Sequence, residues 1–238
     1  MSPLLVSLHL PKTAGTSFAE ALRASAGDGY RSDYADLPMQ HGAFRRRRDA
    51  VRGGLALRGR LPAGVTCVHG HFLALKYRIA VAGRPARFIT WMRDPVERLA
   101  SHYAFWRRDY DGRDPAQPLR NRMLREDWSL ERFALGPELR NVYAQYLWGV
   151  GLQRFAFVGI TEHYASELDR LGALLGAGFR PVRAAALVNP EGGTGGYRID
   201  PALRARIEGH HARDMALYRQ ALAAREAALR RTDAALAG

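Results

Sequence analysis

The chain has 238 residues, of which 47% are hydrophobic, and a formal net charge of +13 with a pI near 10.6. That length can bury a sizeable core, and that apolar share excludes wholesale disorder. A single cysteine, Cys67, excludes an intramolecular disulfide and a zinc cage of thiolates.

No apolar run approaches the roughly 20 residues that span a bilayer. Met1-Ser2-Pro3 enters Leu4-Leu5-Val6 without a basic region or a small-residue cleavage site, so a cytoplasmic protein is expected. The charge favours polyanionic partners, and Arg45 to Arg48 is its densest cluster. Lys12 and Lys76 are the only lysines in an Ala-, Gly- and Arg-rich chain, so compositional drift on a solvated surface explains part of the charge equally well.

In chain order, Leu4 to Leu10 is a strand-type apolar run that stops at Pro11, and Thr16 to Ser25 has helical spacing. Residues 27–41 read as loop and Ala43 to Leu57 as a basic helix. Val65 to Val68 is a short strand ending in His69-Gly70-His71; Arg87 to Met92 is another, followed by a helix over Pro95 to Arg108. Residues 109–127 look irregular, and helical patterns return over Trp128 to Ala134 and Glu138 to Trp148. Phe155 to Ile160 is a fourth strand, with its helix over Glu162 to Leu175. Residues 189–197 are Gly-rich, and Pro201 to Ala237 is helical. This alternation is the α/β signature. It predicts a three-layer, P-loop-like fold with a central parallel sheet flanked by helices. The expected organisation is one domain over 1–238, with a helical C-terminal region at about 199–237.

Two segments carry chemistry. Pro11-Lys12-Thr13-Ala14-Gly15-Thr16-Ser17 joins a strand to a helix, and unsatisfied N–H groups at a helix start suit a phosphate. Gly15 permits close approach or an unusual φ, Lys12 can neutralise anionic oxygens, and Thr16 and Ser17 can donate hydroxyl hydrogen bonds. The Walker pattern is absent, since the lysine precedes the glycine. In Arg93-Asp94-Pro95-Val96-Glu97-Arg98-Leu99-Ala100-Ser101, Asp94 is a helix N-cap, Pro95 takes N1 and Glu97 at N3 completes a capping-box pattern. Arg93 lies at a strand end, where α/β folds bind ligands. Arg98 and Ser101 share a helix face.

Together these segments resemble the sulfotransferases that use 3′-phosphoadenosine 5′-phosphosulfate (PAPS). His9 to Phe18 is similar to their 5′-phosphosulfate loop, and Thr90 to Tyr103 to their 3′-phosphate motif. Val68-His69-Gly70-His71-Phe72 is similar to the His-Gly-His segment of the uronyl and heparan sulfate 2-O-sulfotransferases. Phe157 to Glu162 matches a later strand-to-helix segment of carbohydrate sulfotransferases. The matches follow the family order over about residues 4–176, and the C-terminal third departs from it.

The resemblance implies PAPS as donor, no metal, and a hydroxyl acceptor on a glycan or similar molecule, acidic acceptors included, without specific nucleic-acid binding. It implies that Lys12 contacts the oxygen bridging phosphate and sulfate, and that Thr13, Ala14, Gly15, Thr16 and Ser17 hold the 5′-phosphate. Arg93 and Ser101 would bind the 3′-phosphate, and the 189–197 loop, with Asn189, Thr194 and Tyr197, would close over the nucleotide. His71 is the first choice for general base and His69 the second. His102, His163, His210 and His211 are expected at the surface or in packing, and the four tryptophans in the core, with Trp106 or Tyr103 open to stacking on a sugar or adenine. Two other readings stay open: a small-molecule kinase, which would need magnesium and a carboxylate to hold it, and a basic module for acidic glycan or nucleic acid.

Overall fold

A computed structural model describes residues 3–36, 41–108, 110–176, 178–180 and 196–236. Among these residues, five strands form one parallel sheet: β1 (Leu4–Leu8), β2 (Tyr30–Asp33), β3 (Cys67–Gly70), β4 (Ala86–Met92) and β5 (Phe155–Ile160). The spatial order is β2-β3-β1-β4-β5. The chain fills one side of β1 before crossing to β4 on the other, so the order reverses at β1. In open parallel sheets a ligand crevice opens at the C-terminal ends of the strands flanking such a reversal.

Ten helices complete the described chain: α1 (Gly15–Ala26), α2 (Ala43–Leu57), α3 (Ala74–Ala80), α4 (Pro95–Arg107), α5 (Pro118–Arg125), α6 (Leu130–Leu135), α7 (Val142–Tyr146), α8 (Tyr164–Leu175), α9 (Pro201–His210) and α10 (Ala212–Leu236). Side chains alternate between the sheet faces. Cys67, Ile89, Trp91 and Phe157 pack with Phe18 and Leu22 of α1 and Leu168 and Leu171 of α8. Leu4, Val6, Leu8, Val68, Phe88 and Met92 point the other way, toward α3, α4, α6, α7, α9 and α10. The three-layer α/β architecture with a parallel central sheet follows from this division. None of the described helices is long and apolar enough to cross a membrane.

The structure corrects several local expectations. Residues 30–33 were expected in a loop but form edge strand β2, whose Tyr-Arg-Ser-Asp sequence lacks the apolar alternation that marks a buried strand. Its end is held from outside: Lys76 Nζ donates to Asp33 and Asp36, both at 2.7 Å, and the Tyr77 hydroxyl donates to Asp33 at 2.8 Å. α2 packs closely on α3, which carries Lys76, since a Cβ on Gly54 would stand 2.6 Å from the Lys76 carbonyl oxygen. α3 was not expected, and α5 falls in the stretch expected to be irregular. The C-terminal helical region is two helices separated at His211, which is buried and bonded through Nε2 to the Ala134 carbonyl at 2.7 Å. α10 is tied to α8 by wholly buried Glu167, which accepts from Arg170 and Arg225, each at 2.6 Å.

Candidate active site

The loop after β1 is shaped by backbone strain and by its own hydrogen bonds. Lys12 (φ 65°) and Ala14 (φ 61°) both occupy the left-handed region. Non-glycine residues adopt that region at a cost of roughly 1–2 kcal/mol each, and such strain concentrates at ligand sites. The unusual φ expected at Gly15 thus belongs to its neighbours. Gly15 supplies close approach instead: a Cβ there would stand 1.7 Å from His9 Nε2. The Thr13 hydroxyl donates to the Leu10 carbonyl at 2.8 Å and is buried, which pins the turn. α1 begins with no side-chain cap, so its first-turn N–H groups stay available to an anion. The side chains of Thr16 and Ser17 lie outside the described residues.

Against Gly15 sits a layer of histidines. The His9 ring stacks on His71 at 4.3 Å between centroids and on His69 at 5.2 Å, while its Nδ1 and the Tyr34 hydroxyl are 3.0 Å apart. His9 entered the sequence reading only as part of a motif; its position next to the loop glycine is what the chain order does not reveal. His71 Nδ1 lies 2.6 Å from the His9 carbonyl oxygen. A carbonyl only accepts, so Nδ1 carries the proton and Nε2 carries the lone pair. Burial holds the His71 pKa below the ordinary histidine value, the carbonyl bond opposing it weakly, so the ring is neutral at pH 7. Tyr34 and Tyr146 meet its ring edge-on at 4.9 and 6.1 Å.

His69 differs sharply. It is 1% exposed, its Nδ1 is paired with the Ser7 hydroxyl at 2.9 Å, and burial, then His71 and Arg23, pulls its pKa down to about 3. It is the buried member of the layer, whereas His71 is half-buried.

Lys12 Nζ sits 4.0 Å above the Phe105 ring. Burial, followed by the charges of Arg93 and Arg108, lowers its pKa to about 8. The first loop and the second motif therefore share one electrostatic environment.

In the second motif the cap is as expected: Asp94 Oδ1 accepts from the N–H groups of Val96 and Glu97 at 2.9 and 3.0 Å, with Pro95 at N1. The capping box does not close. The Asp94 N–H donates to Glu162 at 2.7 Å, and Glu97 instead accepts from Arg204 at 2.8 Å and from the Tyr197 N–H at 3.1 Å. Glu97 thereby secures the segment after residue 195 to α4. Arg93 is gripped by its backbone: the Tyr143 hydroxyl accepts from its N–H at 3.1 Å and donates to its carbonyl at 2.8 Å. Its guanidinium lies 3.9 Å from Glu97. Ser101 is buried on the same helix. Asn189 and Thr194 lie outside the described residues.

Arg98 was legible only as sharing a face with Ser101. It is fully buried, and its three side-chain nitrogens have no hydrogen-bond partner among the described residues. Its guanidinium carbon lies 5.5 Å from the Tyr143 ring centre. Nearby Asp214 is pushed up to about 6 by burial, with Arg98 opposing the shift, and accepts from the N–H groups of Tyr143 and Ala144, both at 3.0 Å. His102 packs against Trp106 and Phe133, and no group of three metal-ligating side chains occurs among the described residues.

No protein-family model matches the chain, and no curated protein sequence matches it. The solved structures similar in outline include two sulfotransferases. A sulfotransferase from Alicyclobacillus acidocaldarius is 16% identical, with 91% of this chain and 94% of that one covered, at a TM-score of 0.46. The mouse sulfotransferase SULT7A1, complexed with PAP, is 13% identical at a TM-score of 0.40; the match covers 87% of this chain and spans 62% of the mouse chain. Likenesses of this size say nothing about the role of any residue.

Proposed function

We propose that this chain is a sulfotransferase that moves a sulfuryl group from PAPS to a hydroxyl of a carbohydrate-like acceptor. The observation that carries the reading is the His71 tautomer: Nδ1 is committed to the His9 carbonyl, so a neutral ring offers Nε2 as proton acceptor beside the Lys12 loop. The order of the sequence motifs supports the same reading.

The acceptor oxygen attacks sulfur in line as the bond from sulfur to the bridging phosphate oxygen breaks, and the acceptor proton passes to His71 Nε2. Negative charge develops on the departing phosphate, where Lys12 and the first-turn N–H groups of α1 neutralise it. Arg93 and Ser101 hold the 3′-phosphate, and Tyr197 belongs to the segment that borders the nucleotide. The product is 3′-phosphoadenosine 5′-phosphate (PAP).

Calorimetry with PAP and with adenosine 5′-phosphate tests the donor. Each charge-assisted hydrogen bond is worth roughly 1.5–3 kcal/mol, so loss of the 3′-phosphate should weaken binding by about tenfold to over a hundredfold. Equal affinities would refute the assignment. Transfer abolished by EDTA and restored by magnesium would favour the kinase reading.

A further inference from the structure

The Arg45–Arg48 cluster does not act as one patch. Arg45 and Arg48 both turn to Asp49, at 3.6 and 3.0 Å. Arg46 and Arg47 instead line a cleft of about 390 Å³, which α7 and the start of α10 complete with Arg140 and Arg213. No carboxylate lines this cleft. Among the described residues, Arg47, Arg140 and Arg213 form no ion pair with an acid; Arg47 lies 4.6 Å over the half-buried Trp148 ring, and Arg140 donates to the His210 carbonyl at 3.2 Å. Trp148, expected in the core, is thus a wall of the cleft.

The guanidinium groups of Arg47, Arg140 and Arg213 around one concavity repel one another, and a multiply charged anion relieves that repulsion. Wall residues of the cleft neighbour the proposed base along the chain. Leu73, in its wall, is two residues beyond His71, and Tyr146, which meets the His71 ring at 6.1 Å, follows directly on wall residues of α7.

Resting on the sulfotransferase reading, we infer that this cleft is the acceptor subsite and selects an acceptor with two or more carboxylate, phosphate or sulfate groups near the reacting hydroxyl. The arginines bind those groups, and the hydroxyl reaches His71 Nε2 from the Leu73 side. The transfer step gains nothing from the cleft except position.

Calorimetry on the full chain saturated with PAP tests this with three probes: tetragalacturonate, fructose 1,6-bisphosphate and uncharged maltotetraose. At least one anionic probe should bind, with affinity falling as salt rises, and maltotetraose should not. The two anionic probes distinguish a glycan from a phosphorylated metabolite. Combining Arg47→Ala with Arg140→Ala should weaken the anionic probe by about tenfold or more, while Arg58→Ala with Arg60→Ala, on exposed residues outside the cleft, should not. PAP affinity should stay unchanged in all variants. Maltotetraose binding as tightly as the acids, or unaltered anion affinity in the cleft variant, would overturn the inference. So would a single-stranded RNA 12-mer that binds more tightly than either anionic probe and is lost in the same variant. If PAP itself fails to bind the wild-type chain while the cleft still takes the anion, the donor reading falls and the cleft stands as an anion site of another function.

Discussion

The loop after β1 and the arginine cleft both present positive charge, but they are built in opposite ways. The loop is local: Lys12, Thr13, Ala14 and Gly15 are consecutive, and their shape comes from strained φ angles, one internal hydroxyl bond and a histidine seated against the glycine. The cleft is assembled: Arg46 and Arg47 come from α2, Arg140 from just before α7 and Arg213 from α10. On the proposed reading, chemistry that needs sub-ångström placement sits on the short, strained segment. Recognition of an anion, which tolerates longer and softer side chains, would on the same reading be spread over α2, the residues before α7, and α10. Changes in the loop should therefore damage rate or fold, and changes in the cleft should damage affinity alone.

The largest test of that division is His71→Ala. Turnover should fall about 10²–10⁴-fold, the usual range for a general base, with PAP affinity unchanged by calorimetry. His69→Ala should cost less, because His69 is the buried member of the layer. Near-normal turnover in His71→Ala beside a dead His69→Ala would exchange their roles, and activity in both would move the base elsewhere.

Gly15→Ala probes the strained side of the comparison. The added methyl group collides with His9, and accommodating such overpacking costs typically about 1–3 kcal/mol, measurable as a lowered denaturation midpoint. Adding His9→Ala should recover part of the loss, since residues in contact do not contribute additively. Arg47→Ala, by contrast, should leave the midpoint unchanged. A fully stable Gly15→Ala would show that the His9 ring does not occupy that space.

A third expectation separates the groups by pH. Lys12, depressed to about 8 by burial and neighbouring arginines, is charged below that pH and neutral above it. In the free enzyme, kcat/KM for the donor should fall above about pH 8, by about tenfold per pH unit once a single group governs the limb. The acidic limb should lie below the ordinary histidine range, because His71 is lowered by burial and works in its neutral form. A profile that keeps rising to pH 10 would remove Lys12 from the reacting centre.

The strand-loop-helix at Lys12, the cap at Asp94 and four of the five strands were legible because each depends on residues close in sequence. Edge strand β2 escaped since its order comes from β3 and from Lys76, 43 residues after Asp33. Glu97 was assigned a capping partner three residues away but found Arg204 and the Tyr197 N–H across the fold. His9, Arg98 and the cleft share this reason: their meaning lies in what packs against them. Burial of Cys67 in β3, which pushes its thiol up to about 12, was readable from its apolar neighbours alone.

The grip of Tyr143 on Arg93 has a consequence for how the two ligands sense each other. One phenol both donates to and accepts from the Arg93 backbone, and it belongs to α7, whose Ala144 and Gln145 line the cleft. On the proposed reading, a molecule that draws α7 inward carries the Arg93 peptide with it, and a 3′-phosphate held by Arg93 steadies α7 in return. Linkage makes the exchange symmetric: whatever factor the donor adds to acceptor affinity, the acceptor adds to donor affinity. Substituting Phe for Tyr143, which keeps the ring and deletes the hydroxyl, would disconnect the pair and leave two sites that fill independently.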